Sequence, residues 1–503
     1  MSNLREESMK KSRLFQKGIL LGMLFVFSCT HTEPRNKGTH NQEGNYQGGP
    51  SPALGNGTPP APPEGGFSGT KPPDGFGKQP PMAQGNPGGA PGTPGPMPQQ
   101  MANKNTIIKL ITAVLTVTTK DYYLENTTIT SSKANTSALY FRNSSKGILR
   151  NLNLQKIGGN TTSEEGSNFF GLNAVLLGTE ESEVQVENSQ IFSNADGANA
   201  VFATGIGTKI SLKGVKVETT MNSSRGVDAT EGGYIEGTGL VISTRGAHSA
   251  GIATDRGRGI IQISESVVET RGEGSPGIYS TGTIEVKNSR LVAYGSEGAV
   301  VEGKNSIKLE EVELIGHKKA GVMLYQSFSG DAEQGIAQFS MIGGQLEAKE
   351  GPLFYVTNTE AQVYLENVQL TGTSGILIKA GSDRWGIPGK NGGNVIMTVK
   401  DQEMEGLIIA EKGSSILIRL TGKSQFKGSI QGAAIDLEAS SLWEVTGDSE
   451  VRYFGSINSL TDLQSRIQNK GYTIKYDALD THNKYLAGKT YQLAGGGTLT
   501  PNK

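Results

Sequence analysis

Residues Arg225–Gly282 read RGVDATEGGYIEGTGLVISTRGAHSAGIATDRGRGIIQISESVVETRGEGSPGIYSTG. Three related openings fall at Arg225, Ala250 and Pro276, steps of 25 and 26 residues. Working outward, the same short apolar opening recurs as NAVLLGT from Asn173, NAVFATG from Asn199, AVVEGKN from Ala299, AGVMLYQ from Ala320 and PLFYVTN from Pro352. Each is followed by a second pattern, I-x-L-x-x-V-x-L. It is clearest at Ile210, Leu212, Val215 and Val217, and recurs at Ile307, Leu309, Val312 and Leu314 and at Val363, Leu365, Val368 and Leu370. A repeat of this length, running from about Ala113 to about Glu450, is the mark of a solenoid.

Within each half of the second pattern apolar and polar residues alternate, which is strand periodicity. The phase slips by one residue between the halves, so the chain bends there while both halves face one core. The bend often carries an asparagine: Asn126, Asn188, Asn288 and Asn367. Asparagine tolerates left-handed backbone, and equivalent residues in successive coils predict a stacked ladder. No helical periodicity of useful length is visible between Thr106 and Glu450. Three strands per coil predict an all-β right-handed parallel β-helix spanning 105–455. About a dozen coils at ~4.8 Å make a rod roughly 60 Å long. Val175, Val201, Val227, Ile252, Ile278, Val301 and Val322 are expected to point inward. A β-sandwich or propeller is the runner-up, disfavoured because blades have a longer four-strand period.

Ahead of the repeats, Lys10, Lys11, Arg13 and Lys17 precede a short apolar run, Ile19 to Phe27, too short to span a bilayer. It ends in Val26-Phe27-Ser28-Cys29, which resembles a bacterial lipobox. Residues 1–28 therefore read as a lipoprotein signal peptide and Cys29, the only cysteine of 503 residues, as the lipidated residue. Two or three acyl chains, at about 0.8 kcal/mol per buried CH₂, make a stable anchor. The expected location is the cell envelope, lipid-anchored at the outer membrane or cell surface. Residues 29–104 hold 16 of the 20 prolines and few apolar residues. Such a segment cannot bury enough surface to fold and reads as a disordered stalk. At the other end, 456–503 breaks the repeat. SINSLTDLQSRIQ predicts a short helix and GYTIKYD a strand, together a cap on the open end.

Forty-seven Lys and Arg balance 48 Asp and Glu. No basic patch with interleaved aromatics occurs, which disfavours nucleic acid. The five histidines show no metal-ligand spacing, and no P-loop, H-E-x-x-H or calcium-loop motif is present. No metal or cofactor is expected, apart from calcium in the case of a lyase.

Aligning the openings on their inward residues predicts two outward rows. One holds Phe202, Asp228, Ala253, Tyr279, Glu302, Met323 and Tyr355; the other Thr204, Thr230, Asp255, Thr281, Lys304, Tyr325 and Thr357. Aromatic rings beside carboxylates suit sugars, whose C–H faces stack on rings and whose hydroxyls donate to carboxylates. Outward tyrosines and charges also simply solvate a strand. Asp228, Asp255 and Glu302 on neighbouring coils raise the prospect of paired carboxylates for glycoside hydrolysis, and Arg256 or Arg258 near Asp255 that of a base for β-elimination. Two long insertions, Tyr325–Gly335 (with Asp331 and Glu333) and Gly381–Asn394 (with Asp383, Arg384 and Trp385), interrupt the solenoid, and such loops are often functional.

The segments VFATG, SRGVDAT, ATDRG, SPGIYSTG, EGKNSI, GVMLYQSFSGDAE, GPLFYVTNT and DRWG…GKNGGN resemble a widespread, largely uncharacterised group of bacterial secreted or surface proteins. That group lies within the pectin-lyase-like right-handed β-helix class. The resemblance runs from about Ser137 to the C-terminus and implies fold and surface location. The class holds lyases, hydrolases, epimerases and adhesins, so no catalytic residue is carried over. The sequence thus predicts an adhesin-like binder of glycans or cell surfaces without chemistry. Tyr279, Tyr325, Tyr355, Arg384, Trp385, Asp228 and Asp255 are its expected contacts. The alternatives are a polysaccharide-degrading enzyme using Asp228, Asp255, Arg256 and Glu302, and a structural envelope protein.

Overall fold

A computed structural model describes residues 104–502. The expected signal peptide, Cys29 and the Pro/Gly-rich stalk lie outside the described residues. The repeats wind into a right-handed parallel β-solenoid of about 16 turns, roughly 75 Å of stacked strands. The expected dozen coils fall short for two reasons. After strand Gln369–Gly372 the coils lose their third strand and shorten, so that Val395 pairs with Ile416, and the 25-residue period is no longer visible. Beyond 455 the ladder continues: Ile467–Asn469, Thr473–Tyr476 and Thr498–Pro501 all pair parallel with the coil before them. The expected helix is present at Leu460–Arg466, capped by Ser459, and an antiparallel pairing of Tyr491–Gln492 with Thr498–Pro501 ends the stack.

Each complete coil contributes one strand to each of three ladders. In the first, Val201, Val227, Ile252, Ile278, Ala299, Val322 and Phe354 stack directly and are fully buried. Each Val, Ile or Phe of the row contributes about 1.5–3 kcal/mol by leaving water, and Ala299 less. The bend between second and third strands is left-handed at Asn126, Asn188, Asn288 and Asn367, as expected, and equally at Gly214, Gly239, Glu265 and Glu311. Because the residue type varies, the asparagine ladder is confined to a contact such as Asn151 Nδ2 to Asn126 Oδ1, 3.1 Å. Serine supplies the longer ladder. The backbone N–H groups of Ala198, Ser224 and Ser249 donate to the buried hydroxyls of Ser224, Ser249 and Ser275 at 2.8–3.1 Å. Next to it a Cβ on Gly226 would lie 2.5 Å from the Gly251 carbonyl oxygen, so the entry to this strand admits only glycine.

One register differs from expectation. Ala299, not Val301, stands opposite Ile278, and Glu302 stands opposite Tyr325. The outward rows are therefore Tyr279, Val300, Met323, Tyr355 and Asp255, Thr281, Glu302, Tyr325, Thr357, and Lys304 falls beyond the strand. Ala299 and Val301 both face inward, so a two-residue slip preserves the apolar alternation and leaves no trace in the sequence. A helix the periodicity does not predict spans Glu164–Phe170. At seven residues it is too short to show a 3.6-residue repeat. Its ends are marked by the Ser163 hydroxyl, which accepts from Gly166 N–H, and by left-handed Gly171. Among the described residues no helix is long and apolar enough to cross a membrane.

Candidate functional site

The outward rows of the first ladder are not open to solvent along their length. The helix Glu164–Phe170 lies over the early rungs. Thr230 Oγ1 donates to the Phe169 carbonyl at 2.9 Å, and Asn199 Nδ2 donates to the Ser167 carbonyl at 3.1 Å. The Tyr325–Gly335 loop covers the next rungs. Asp228 is fully buried and Asp255 only 5% exposed.

Between these two carboxyls sits Arg225, a residue the repeat alignment passes over. Its Nη2 is 2.9 Å from Asp255 Oδ2, and its Nε is 3.5 Å from Asp228 Oδ2. Its remaining Nη1 donates to Asn168 Oδ1 of the covering helix at 2.7 Å. The signal was present in the repeat. Arg225 occupies the position held by Asn199, Ala250 and Pro276 in neighbouring coils, and is the only charge among them. One guanidinium cannot neutralise two buried carboxylates. Burial, and then the charge of Asp255, push Asp228 well above the usual carboxylate range. Burial pushes Asp255 up to about 6, with Arg225 pulling the other way and Asp331 and Glu302 adding to the rise. Both Asp228 oxygens lack a partner if the group is ionised. Protonated, Asp228 can donate to Asp255, which satisfies the pair. With one proton between the two carboxyls, the pair and the guanidinium together carry no net charge.

Arg256 faces away from this pair. Its Nη2 meets Asp331 Oδ1 at 2.7 Å, its Nη1 lies 3.6 Å from Glu165 Oε1, and its guanidinium sits 3.9 Å from the Phe169 ring centre. It thus fastens the helix and the 325–335 loop to one another over Asp255. Its charge, so engaged, is a tie between covering segments rather than a base beside a substrate.

Glu302 is the centre of a second cluster. Its Oε2 accepts from the Tyr279 and Tyr325 hydroxyls, the latter at 2.8 Å, and its Oε1 accepts from the Ser327 hydroxyl. Burial, and then the Glu302 charge, hold both tyrosines well above the usual phenol range. Tyr325 in turn packs against Trp385 with ring centres 5.4 Å apart and planes tilted by 49°, and the Arg384 guanidinium lies 4.5 Å over the Trp385 ring. Tyr355 donates to Asp383 Oδ2 at 3.2 Å. Asn391 Nδ2 holds the Asp383 and Trp385 carbonyls, and Asn358 Nδ2 bonds the Gln326 carbonyl of the neighbouring loop. Two long loops therefore lean together, presenting half-buried Trp385, exposed Arg384 and the exposed tips Phe328 and Ile387.

All nine residues proposed from the sequence lie on one face, over the six rungs from Val227 to Phe354. They divide by exposure. Asp228, Asp255, Glu302 and Tyr325 are buried, Arg256, Tyr279, Tyr355 and Trp385 are half-buried, and Arg384 is exposed. Among the described residues no three His, Cys, Asp or Glu side chains are arranged to hold a metal ion. No protein-family model, no curated protein and no solved structure matches this chain.

Proposed function

We propose that this chain is a bacterial cell-surface β-helix protein of the pectin-lyase-like kind, lipid-anchored through Cys29, that binds glycans without transforming them. The observation that carries the reading is the loop-borne aromatic cluster. Trp385 packs between Tyr325 and Arg384, next to Tyr355 and Asp383, and is itself half-exposed. Arg384 lies over one face of the indole and Tyr325 leans against it at 49°, so the ring is held rigidly, and its exposed part offers apolar surface to a pyranose. Asp383 and Arg384 beside it offer an acceptor and a donor for hydroxyls. The buried carboxyls fit a structural part, since Asp228 has no exposed surface from which to touch a polymer.

The test is retention of the full-length protein on immobilised polysaccharides, with Trp385→Ala as the disabling variant. Retention that survives this variant removes the cluster from the account. A second reading, hydrolysis or elimination, draws on one specific observation: Asp228 and Asp255 are neighbouring buried carboxyls joined through Arg225, and burial pushes both upward, the direction a carboxyl acid needs. It requires the 325–335 loop to open, and it predicts chain shortening, lost in Asp255→Asn.

A further inference from the structure

The second-strand ladder presents a different surface, which the repeat pattern does not single out. Its outward residues line two shallow depressions, about 860 Å³ and about 540 Å³, that share Glu285 and together run from strand Glu183–Glu187 to strand Ser415–Thr421. Among the described residues no helix or long loop is bonded across them. The floor is mainly polar: Thr283, Ser306, Gln338 and Gln362 follow one another on one outward row and Gln262, Glu285, Lys308 and Ser340 on the next, with Ile396 at one end. One half-buried tyrosine, Tyr364, lines the smaller depression, and another, Tyr234, borders the larger one beside Lys209 and Gln262. The Tyr234 hydroxyl donates to Gln262 Oε1 at 2.7 Å, and the Tyr364 hydroxyl donates to Glu366 Oε2 at 2.7 Å, so each ring is pinned at its tip. The rims are cross-rung ion pairs of both signs, Lys209–Glu236 at 2.9 Å and Lys287–Glu310 at 2.8 Å.

We propose that this trough is a second binding surface, for a linear, uncharged or weakly charged polysaccharide lying along the solenoid axis; the inference rests on the glycan-binding reading above. Three properties select that occupant. The rims carry paired charges, so no net field attracts a polyanion. The floor lacks the apolar centre that a protein–protein interface requires. And the rungs repeat at ~4.8 Å, close to the advance of an extended pyranose chain, so each successive sugar meets the outward side chains of one further rung, among them Gln262, Thr283, Ser306, Gln338 and Gln362. Tyr234 and Tyr364 stand five rungs apart, roughly 24 Å, a span of about five sugars.

The experiment is calorimetric titration of the full-length protein with cellohexaose, xylohexaose, mannohexaose and chitohexaose and the matching trimers. It is repeated for Tyr234→Ala, Tyr364→Ala and Trp385→Ala, each checked for an unchanged melting temperature. The proposal expects at least one hexamer to bind, the trimer to bind more weakly, and each tyrosine variant to lose roughly tenfold in affinity. Binding that both tyrosine variants keep and only Trp385→Ala loses overturns the trough and leaves the loop cluster standing. Binding of no hexamer overturns the trough. A native dimer in sedimentation that Tyr364→Arg converts to monomer assigns the face to self-association, and overturns it too.

Discussion

Arg225 and Asp255 lie one turn of the solenoid apart, and their side chains meet at 2.9 Å inside the protein. The pair is held from three sides. The repeat places Asp255 directly after strand Ile252–Thr254, Asn199 Oδ1 accepts from the Arg225 backbone N–H at 2.8 Å, and Asn168 of the covering helix takes the free edge of the guanidinium. Asp228 completes the group, its carboxyl pushed well above the usual range by burial and then by the charge of Asp255.

Removing the guanidinium strands a buried charge. Arg225→Met is expected to destabilise the protein by about 3–5 kcal/mol in chemical denaturation. Adding Asp255→Asn to that variant should restore a large part of the loss, because the uncompensated carboxylate is gone. Equal instability of the single and double variants would show that Arg225 acts through packing alone.

The same cluster sets a pH dependence. Asp228 and Asp255 hold protons more tightly in the folded chain than the unfolded value of about 3.9. Between about pH 4 and 6, and higher for Asp228, the folded state therefore binds more protons than the unfolded state. Their contribution is complete below pH 4 and is lost as pH rises through 6. Asp480, held below its usual value chiefly by bonds from His482 against the opposing effect of burial, works in the other direction. The difference between variants is thus the useful measure. Asp228→Asn, which keeps the donor, should gain melting temperature relative to the native protein as pH rises from 4 to 8. A constant difference across that range contradicts the assignment.

The buried serine ladder carries a backbone prediction. Ser249 Oγ accepts from Ser224 N–H at 2.9 Å in a fully buried site. Ser249→Ala leaves that donor without a partner, and should cost about 1–3 kcal/mol of unfolding free energy. A neutral substitution would mean that water replaces the hydroxyl.

Trp385 belongs to a loop outside the core. Trp385→Ala should lower glycan retention at least fivefold while changing stability by less than about 1 kcal/mol. A fall in retention that tracks a fall in melting temperature would make Trp385 a packing residue of the loop.

The fold is legible in the sequence wherever coils keep their length. Arg225, Ala250 and Pro276 announce the period, and Asn188 and Asn288 mark the bends where the backbone turns left-handed. It is not legible at Ala299, where two inward residues make the register ambiguous, or after Gly372, where coils shorten. The site is half legible. Outward placement of Asp228, Asp255, Tyr279 and Tyr325 is set by strand alternation. Their burial is not, because it depends on Glu164–Phe170 and on a loop folding back over the rungs, long-range contacts with no periodic signature. Arg225 was readable as a charge where the neighbouring coils carry Asn199, Ala250 and Pro276.

The most direct test of the central claim is to incubate the full-length protein with plant, bacterial and host polysaccharides, with and without calcium, and to monitor retention and chain length together. Glycan binding without chemistry predicts retention of at least one polymer at unchanged length. Shortening of a polymer by the native protein, absent in Asp255→Asn, would contradict it.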